Sequence, residues 1–271
     1  MDTIGLVSIM LILFGVIVLV LLYANRTKRL QQKIAAPFPQ AWRNTLQARV
    51  LFYTKLNADY KKLFEKRVQF FIATKSIEGV ETEVDDVIRL MVASSAVIPT
   101  FAFPKYNYPN VHTVLIYPNS FNEKYQTQRF DGSKENITGM VSGRQQNGTV
   151  ILSKPDLVQA FDGLPHKSNV GIHEFVHLLD KEDGDIDGIP EILLQHRFVA
   201  PWLHEIQIEI RRIEKGKSDI DAYAVTSKAE FLAVVSEYFF DNPEKFYKRH
   251  PELYKWLSEI FNQSGTTTQG H

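Results

Sequence analysis

The segment Val170-Gly171-Ile172-His173-Glu174-Phe175-Val176-His177-Leu178-Leu179-Asp180 is the strongest constraint on this chain. Its apolar residues have the density of a buried helix, yet two imidazoles and a carboxylate stand among them. On an α-helix, residues four apart lie one turn apart on one face, so His173 and His177 bring two ring nitrogens to one point. Glu174 is rotated about 100° from His173, beside that point without sharing it. Buried imidazoles next to a carboxylate need partners, and this spacing matches two zinc ligands and one general base.

A catalytic zinc takes a third protein ligand and keeps a fourth position open. The helix predicted from Thr226 to Phe240 supplies candidates in Glu230 and Glu237, which share a stripe with Ala233 and Val234. Carboxylates in so apolar a helix call for a metal or an ion pair. For Glu230 the competing role is a capping box, Ser227-x-x-Glu230; for Glu237 it is an ion pair or an outer position holding a histidine by its free ring N–H. Small Ala233, one turn beyond Glu230, leaves room for close approach to the histidine helix and favours Glu230 as ligand. Asp180 lies about 10 Å along the axis from His173, too far to share an ion with it, and reads as a second-sphere residue. Tyr223, in the loop entering the later helix, is placed to hydrogen-bond an oxyanion, or else is a buried loop aromatic.

Thr3 to Asn25 is uncharged and almost wholly aliphatic, about 30 Å of helix and enough to cross a bilayer. A signal peptide fits less well, because the run is long and Asp2, not a cation, precedes it. Arg26, Lys28, Arg29 and Lys33 follow, so this flank is expected in the cytoplasm. The expected order is a transmembrane anchor over 1–25, a juxtamembrane linker over 26–44, a metallopeptidase domain over 45–262 and a disordered tail over 263–271. Sequons beginning at Asn25, Asn136, Asn147 and Asn262 are chance in a cytosolic domain.

Within the domain, helices are expected from Thr45 to Leu56, Asp59 to Thr74 and Val87 to Val97. Strands are expected at Val111–Tyr117 and Gly148–Ser153, the latter a candidate edge for an extended substrate or else an interior strand. Ser168 or Asn169 caps the histidine helix and Gly184 ends it. Asp183-Gly-Asp-Ile-Asp187-Gly188 opens like a calcium loop, but position twelve is Leu194, which excludes calcium. A helix is expected to start at Pro190, to break at Pro201 and to resume from Trp202 to Lys215. The chain has 31 basic and 31 acidic residues and no Cys. Zero net charge gives no field for nucleic acid, and thiol chemistry and Cys–zinc sites are excluded.

Three blocks resemble the Mlc titration factor A family of zinc peptidases, the M90 peptidases: Ile172 to Asp180, Ser218-Asp-Ile-Asp-Ala-Tyr-Ala224, and Ala229 to Phe240, in family order within about Trp42 to Phe261. The resemblance implies a gluzincin-like α+β domain with His173, His177 and Glu230 on zinc, Glu174 as base and Tyr223 near the reacting carbonyl. It implies a peptide or protein substrate and, from the family's name, a transcriptional-regulator partner. The N-terminal span departs from the soluble enterobacterial relatives. Two other classes compete with an enzyme: a binding protein that sequesters a transcription factor, and a structural zinc site completed by His166, His196 or His204.

Overall fold

The computed structural model of the chain describes residues 3–119, 139–141, 148–166 and 168–263. It divides into two units, Met1–Phe38 and Pro39–His271. The first is a single helix, α1 (Thr3–Ala35), whose Met10–Ala35 stretch is long and apolar enough to cross a membrane by length and composition. The helix does not stop at Asn25. Arg, Lys, Leu, Gln and Ala are good helix formers, so the stretch read as a linker from 26 stays helical to Ala35, and Pro37 and Pro39 then bar continuation.

The second unit is an α+β domain, mostly helical. α2 (Gln40–Arg49) starts directly after Pro39 rather than at Thr45, and extended backbone at Val50 separates it from α3 (Leu51–Thr54). α4 (Ala58–Thr74) is capped by the Asn57 side chain, and α5 (Asp86–Val97) by Asp85. A four-stranded sheet has the order β1-β2-β4-β3. β1 (Ser76–Gly79), β2 (Thr113–Tyr117) and β4 (Thr149–Ser153) are parallel, in register Ser76 to Thr113 and Thr113 to Thr149. β3 (Gly139–Val141) runs antiparallel to β4. The Gly148–Ser153 segment is therefore interior, paired on both sides, and not the free edge. Among the described residues the edges are β1 and β3, and β3 lies against the histidine helix. Asn136, Asn147 and the tail from 264 onward lie outside the described residues.

Helices α6 (Lys154–Ala160), α7 (Val170–Asp180), α8 (Val199–Glu214), α9 (Lys228–Asp241), α10 (Pro243–Arg249) and α11 (Pro251–Phe261) complete the domain. α7 occupies its centre, between α5, α6 and α9 and against β3 and β4. Its apolar residues explain this: Ile172, Phe175, Val176 and Leu179 are essentially fully buried, with the Phe175 ring 5.7 Å from Phe71 and 5.0 Å from Tyr108. α8 departs from expectation at its start. Pro190 opens only a turn, closed by Leu193 and Leu194 N–H on its carbonyl, and Pro201 sits inside the first turn of α8, where no helical N–H is required of it.

The approach of α7 to α5 depends on Gly171, where an added Cβ would lie 2.0 Å from Ser95 Oγ and 2.7 Å from Ser95 Cβ. Gly171→Ala should therefore force the helices apart, with a destabilisation of about 1–3 kcal/mol. Thermal unfolding would show it as a fall of several degrees in Tm, whereas an unchanged Tm would mean that α5 and α7 have slack that this packing denies.

Candidate metal centre

Asn169 organises the entry to α7. Its side-chain oxygen accepts the Ile172 N–H at 3.1 Å, satisfying one of the free amides at the helix start, and its own N–H donates to Glu237 Oε2. One turn into the helix, His173 and His177 point to the same side, their ring centroids 4.6 Å apart. Glu174 is 4% exposed, and burial pushes its carboxyl up to about 7 against the neighbouring imidazoles, which pull it down. At its far end α7 runs into one tight turn, Lys181–Asp183, closed by Gly184 in the left-handed conformation.

α9 brings the opposing carboxylates. Ser227 Oγ accepts the Glu230 N–H at 3.1 Å, the first half of a capping box. The second half, a glutamate reaching back to the cap, is not made: Glu230 Oε2 lies instead 3.0 Å from His173 Nε2 and 3.4 Å from His177 Nε2. Two turns on, Glu237 is 4% exposed and its Oε1 is 2.6 Å from His173 Nδ1. A carboxylate accepts there, so Nδ1 carries a proton, and in the neutral ring the Nε2 lone pair faces the cluster.

His173 Nε2, His177 Nε2 and Glu230 Oε2 all lie within 4.8 Å of one another, and no fourth His, Cys or carboxylate joins the group among the described residues. His166 is engaged elsewhere, 2.8 Å from Asp162, and His196 and His204 lie outside the group. The two ring nitrogens are 3.0 Å apart. Glu230 Oε2 is buried and, for all its closeness to the rings, has no hydrogen bond of acceptable geometry. Two ring nitrogens and a carboxylate oxygen thus converge on one point, and the Nε2–Nε2 approach needs a proton on one ring or a cation between them. A positive charge among them reconciles the group, carried either by a protonated imidazole or by a metal cation. Burial alone would lower His173, but Glu237 and then Glu230 outweigh it and hold the imidazole well above its ordinary range. Burial would likewise raise Glu230, yet the two histidines keep it well below the usual carboxylate range. Two imidazole nitrogens and one carboxylate oxygen, with no fourth such donor among the described residues, form a donor set that fits a metal dication.

Tyr223 stands at the mouth of this cluster. It is 52% exposed rather than a buried loop aromatic, and its ring lies 6.2 Å from that of His173. Burial and then the charge of Glu230 raise its phenol above the ordinary tyrosine value. Asp180 is fully buried. Its Oδ2 accepts the Gly188 N–H at 2.9 Å, while its Oδ1, like His177 Nδ1, is buried with no hydrogen-bond partner. Burial pushes this carboxyl up to about 6. The acidic loop after α7 uses its side chains internally, Asp183 on the Asp185 N–H and Asp187 on the Ile189 N–H. Gly188 has φ +79 and a Cβ there would meet the Lys228 carbonyl at 2.4 Å, so the loop packs directly on the start of α9. The Trp202 indole N–H donates to the Gly188 carbonyl at 2.8 Å and fastens it.

From sequence, Asn169 is one of two candidate caps, with Ser168, and Asp219 and His250 carry no evident role. Asn169 joins α7 to Glu237 through its backbone N–H, which no side-chain pattern reports. Asp219 sits in the same short block as Tyr223, a signal that was present; its partner His250 is distant in the chain.

Comparison with known proteins gives a consistent result. The family model for the glucose-regulated metallo-peptidase M90 matches residues 23–262. An uncharacterized protein of Synechocystis is 28% identical over 265 residues, covering 93% of this chain and 95% of that protein. Mlc titration factor A of Enterobacter is 32% identical over 232 residues, 82% of this chain and 85% of its own length. The protein of the same name from Cronobacter sakazakii is 35% identical over 190 residues, 67% of this chain and 70% of that protein.

Proposed function

Because this chain belongs to the glucose-regulated metallopeptidase M90 family, we propose that it is a membrane-anchored zinc peptidase of gluzincin-like build. The observation that carries the reading is the convergence of His173, His177 and Glu230 beside the buried carboxylate of Glu174. Zinc held by those three residues would polarise the scissile carbonyl and lower the pKa of water towards about 7. Glu174 takes the proton from the attacking water and passes it to the leaving amine. Glu237 keeps the Nε2 lone pair of His173 directed at the cluster. We assign the same task at His177 to Asp180, since Asp180 Oδ1 and His177 Nδ1 are both buried, both without a partner, and close in helical register. An extended substrate would add to the sheet at β3, the edge strand against α7. The reading is tested by exposing the protein to a mixed-sequence peptide library. New internal termini that vanish on chelation and return with zinc support it; an untouched library opposes it.

Tyr223 is assigned to the oxyanion of the tetrahedral intermediate, to which its phenol donates. Tyr223→Phe keeps the ring and removes the donor, so turnover should fall on the order of 10²-fold with metal content unchanged. Unaltered turnover would leave Tyr223 with a packing role only.

α1 is read as the anchor, with the Arg26, Lys28, Arg29 and Lys33 flank holding the peptidase domain in the cytoplasm. A reporter active only outside the cytoplasm, fused after His271, should be silent, and a strong signal would reverse the topology. A second reading is favoured by the name of the relatives, Mlc titration factor A: a regulatory protein that sequesters a transcriptional regulator. A buried Glu174 counts against a pure binder, which has no use for a base.

A further inference from the structure

A second buried polar assembly lies outside the metal cluster. His250, between α10 and α11, is 3% exposed and Glu209 of α8 is 1% exposed. His250 Nε2 is hydrogen-bonded to Asp219 Oδ1 at 2.8 Å, and its Nδ1 lies 3.2 Å from Glu209 Oε1, a charge contact without hydrogen-bond geometry. Asp219 Oδ2 accepts from the Tyr238 hydroxyl of α9 at 3.0 Å, and Lys245 of α10 stands 3.9 Å away. Glu209 accepts from Ser218 Oγ at 2.6 Å and from Arg212 at 2.8 Å. A buried acid, Glu209, and a buried imidazole, His250, are thus spent on holding Ser218 and the partly exposed Asp219. Apolar packing would serve stability as well, so a positional task is the better account.

The path from Asp219 to Tyr223 is short and stiff. Ile220 is 5% exposed and its N–H is 3.3 Å from Ser218 Oγ. The Asp221 side chain then accepts the Tyr223 N–H at 2.8 Å, and its carbonyl accepts the Ala224 N–H at 3.1 Å. Tyr223 itself is half-exposed, so the core does not fix its ring from above. We propose that Glu209, Asp219 and His250 form a positioning array that holds Tyr223 in register over His173. These are positioning residues: they act on the reaction only through the phenol. The proposal rests on the role given to Tyr223 above for its kinetic consequence, but not for its structural one.

Two measurements on the full-length, metal-loaded protein in detergent test it. In hydrogen–deuterium exchange, Asp219→Asn and the milder Tyr238→Phe should each raise the exchange of residues 220–226 on the order of tenfold and leave α7 unchanged. The second variant decides the matter if the first fails to fold. Unchanged exchange over 220–226, or equal loosening of α7, overturns the array. In a double-mutant cycle on a peptide that the wild type cleaves, each variant should lower kcat about tenfold at constant KM and metal content in the Tyr223 background, and hardly at all in Tyr223→Phe. Equal losses in both backgrounds overturn the proposal. If Tyr223→Phe alone has no effect on turnover, the catalytic assignment of that residue fails, and the exchange result still decides whether the array positions it.

Discussion

Glu174→Gln is expected to leave the protein folded and metal-loaded while peptide hydrolysis falls on the order of 10³-fold or more. The substitution is close to isosteric, which matters at a site that is 4% exposed in the interior of α7, where a change of volume would disturb packing against α5 and α9. Glutamine has no oxygen basic enough to take a proton from water. It also avoids burying a charge, so thermal unfolding should be unchanged or slightly raised. Glu174 is not among the three converging donors, so zinc content measured by elemental analysis should match the wild type. This variant separates the two readings of the chain, because a protein that only sequesters a regulator should be indifferent to it. Wild type and Glu174→Gln are to be compared for metal, Tm, library cleavage and restoration of phenotype in cells lacking the gene. A stable, loaded Glu174→Gln protein that restores full function would sink the enzyme reading, whatever cleavage the wild type shows in a tube.

Where the sequence was informative, the reason is periodicity over a long element. The apolar run of α7 and the carboxylate stripe of α9 extend over several turns, so helical periodicity alone puts His173 and His177 on one face and makes Glu230 a candidate to meet them. The capping-box alternative for Glu230 was drawn from the same residues. Only the direction of the side chain, towards the rings and away from Ser227, distinguishes the two. Short elements were illegible for the opposite reason. β1 has four residues with a single buried one, Ile77, and β3 has three; neither is long enough for alternation to register. Without β3 in view, the segment Gly148–Ser153 reads equally as an edge or as an interior strand, and only the pairing on both sides decides for the interior. At Pro201 the residue type was weighed without its position, since proline disrupts a helix interior and is tolerated in its first turn. The Asp219–His250 link has 31 intervening steps along the chain and no periodic signature at all; tertiary polar pairs of that kind are read only from the fold.

His173→Ala, His177→Ala and Glu230→Ala are each expected to lose most of the metal that the wild type retains, about one zinc per chain. The expectation follows from the donor count. The group contains three donor residues among the described residues, and removing one leaves a pair that cannot hold a dication against water and competing ligands. The Glu230 variant carries the most information, because the helix cap survives it: Ser227 Oγ would still accept the backbone N–H of residue 230. Glu237→Ala belongs to another class. It removes the acceptor on His173 Nδ1 and the partner of the Asn169 N–H, freeing the ring to turn without deleting a donor, so affinity should fall about 10- to 100-fold with the site still able to fill. Titrating chelator against each purified variant, with zinc counted by elemental analysis, orders them. Metal stabilises the folded state in proportion to its binding, so the Tm gained on adding zinc should be large for wild type, smaller for Glu237→Ala and near zero for the three ligand variants. An empty Glu237→Ala beside a fully loaded Glu230→Ala would exchange their roles and place the third ligand two turns further along α9.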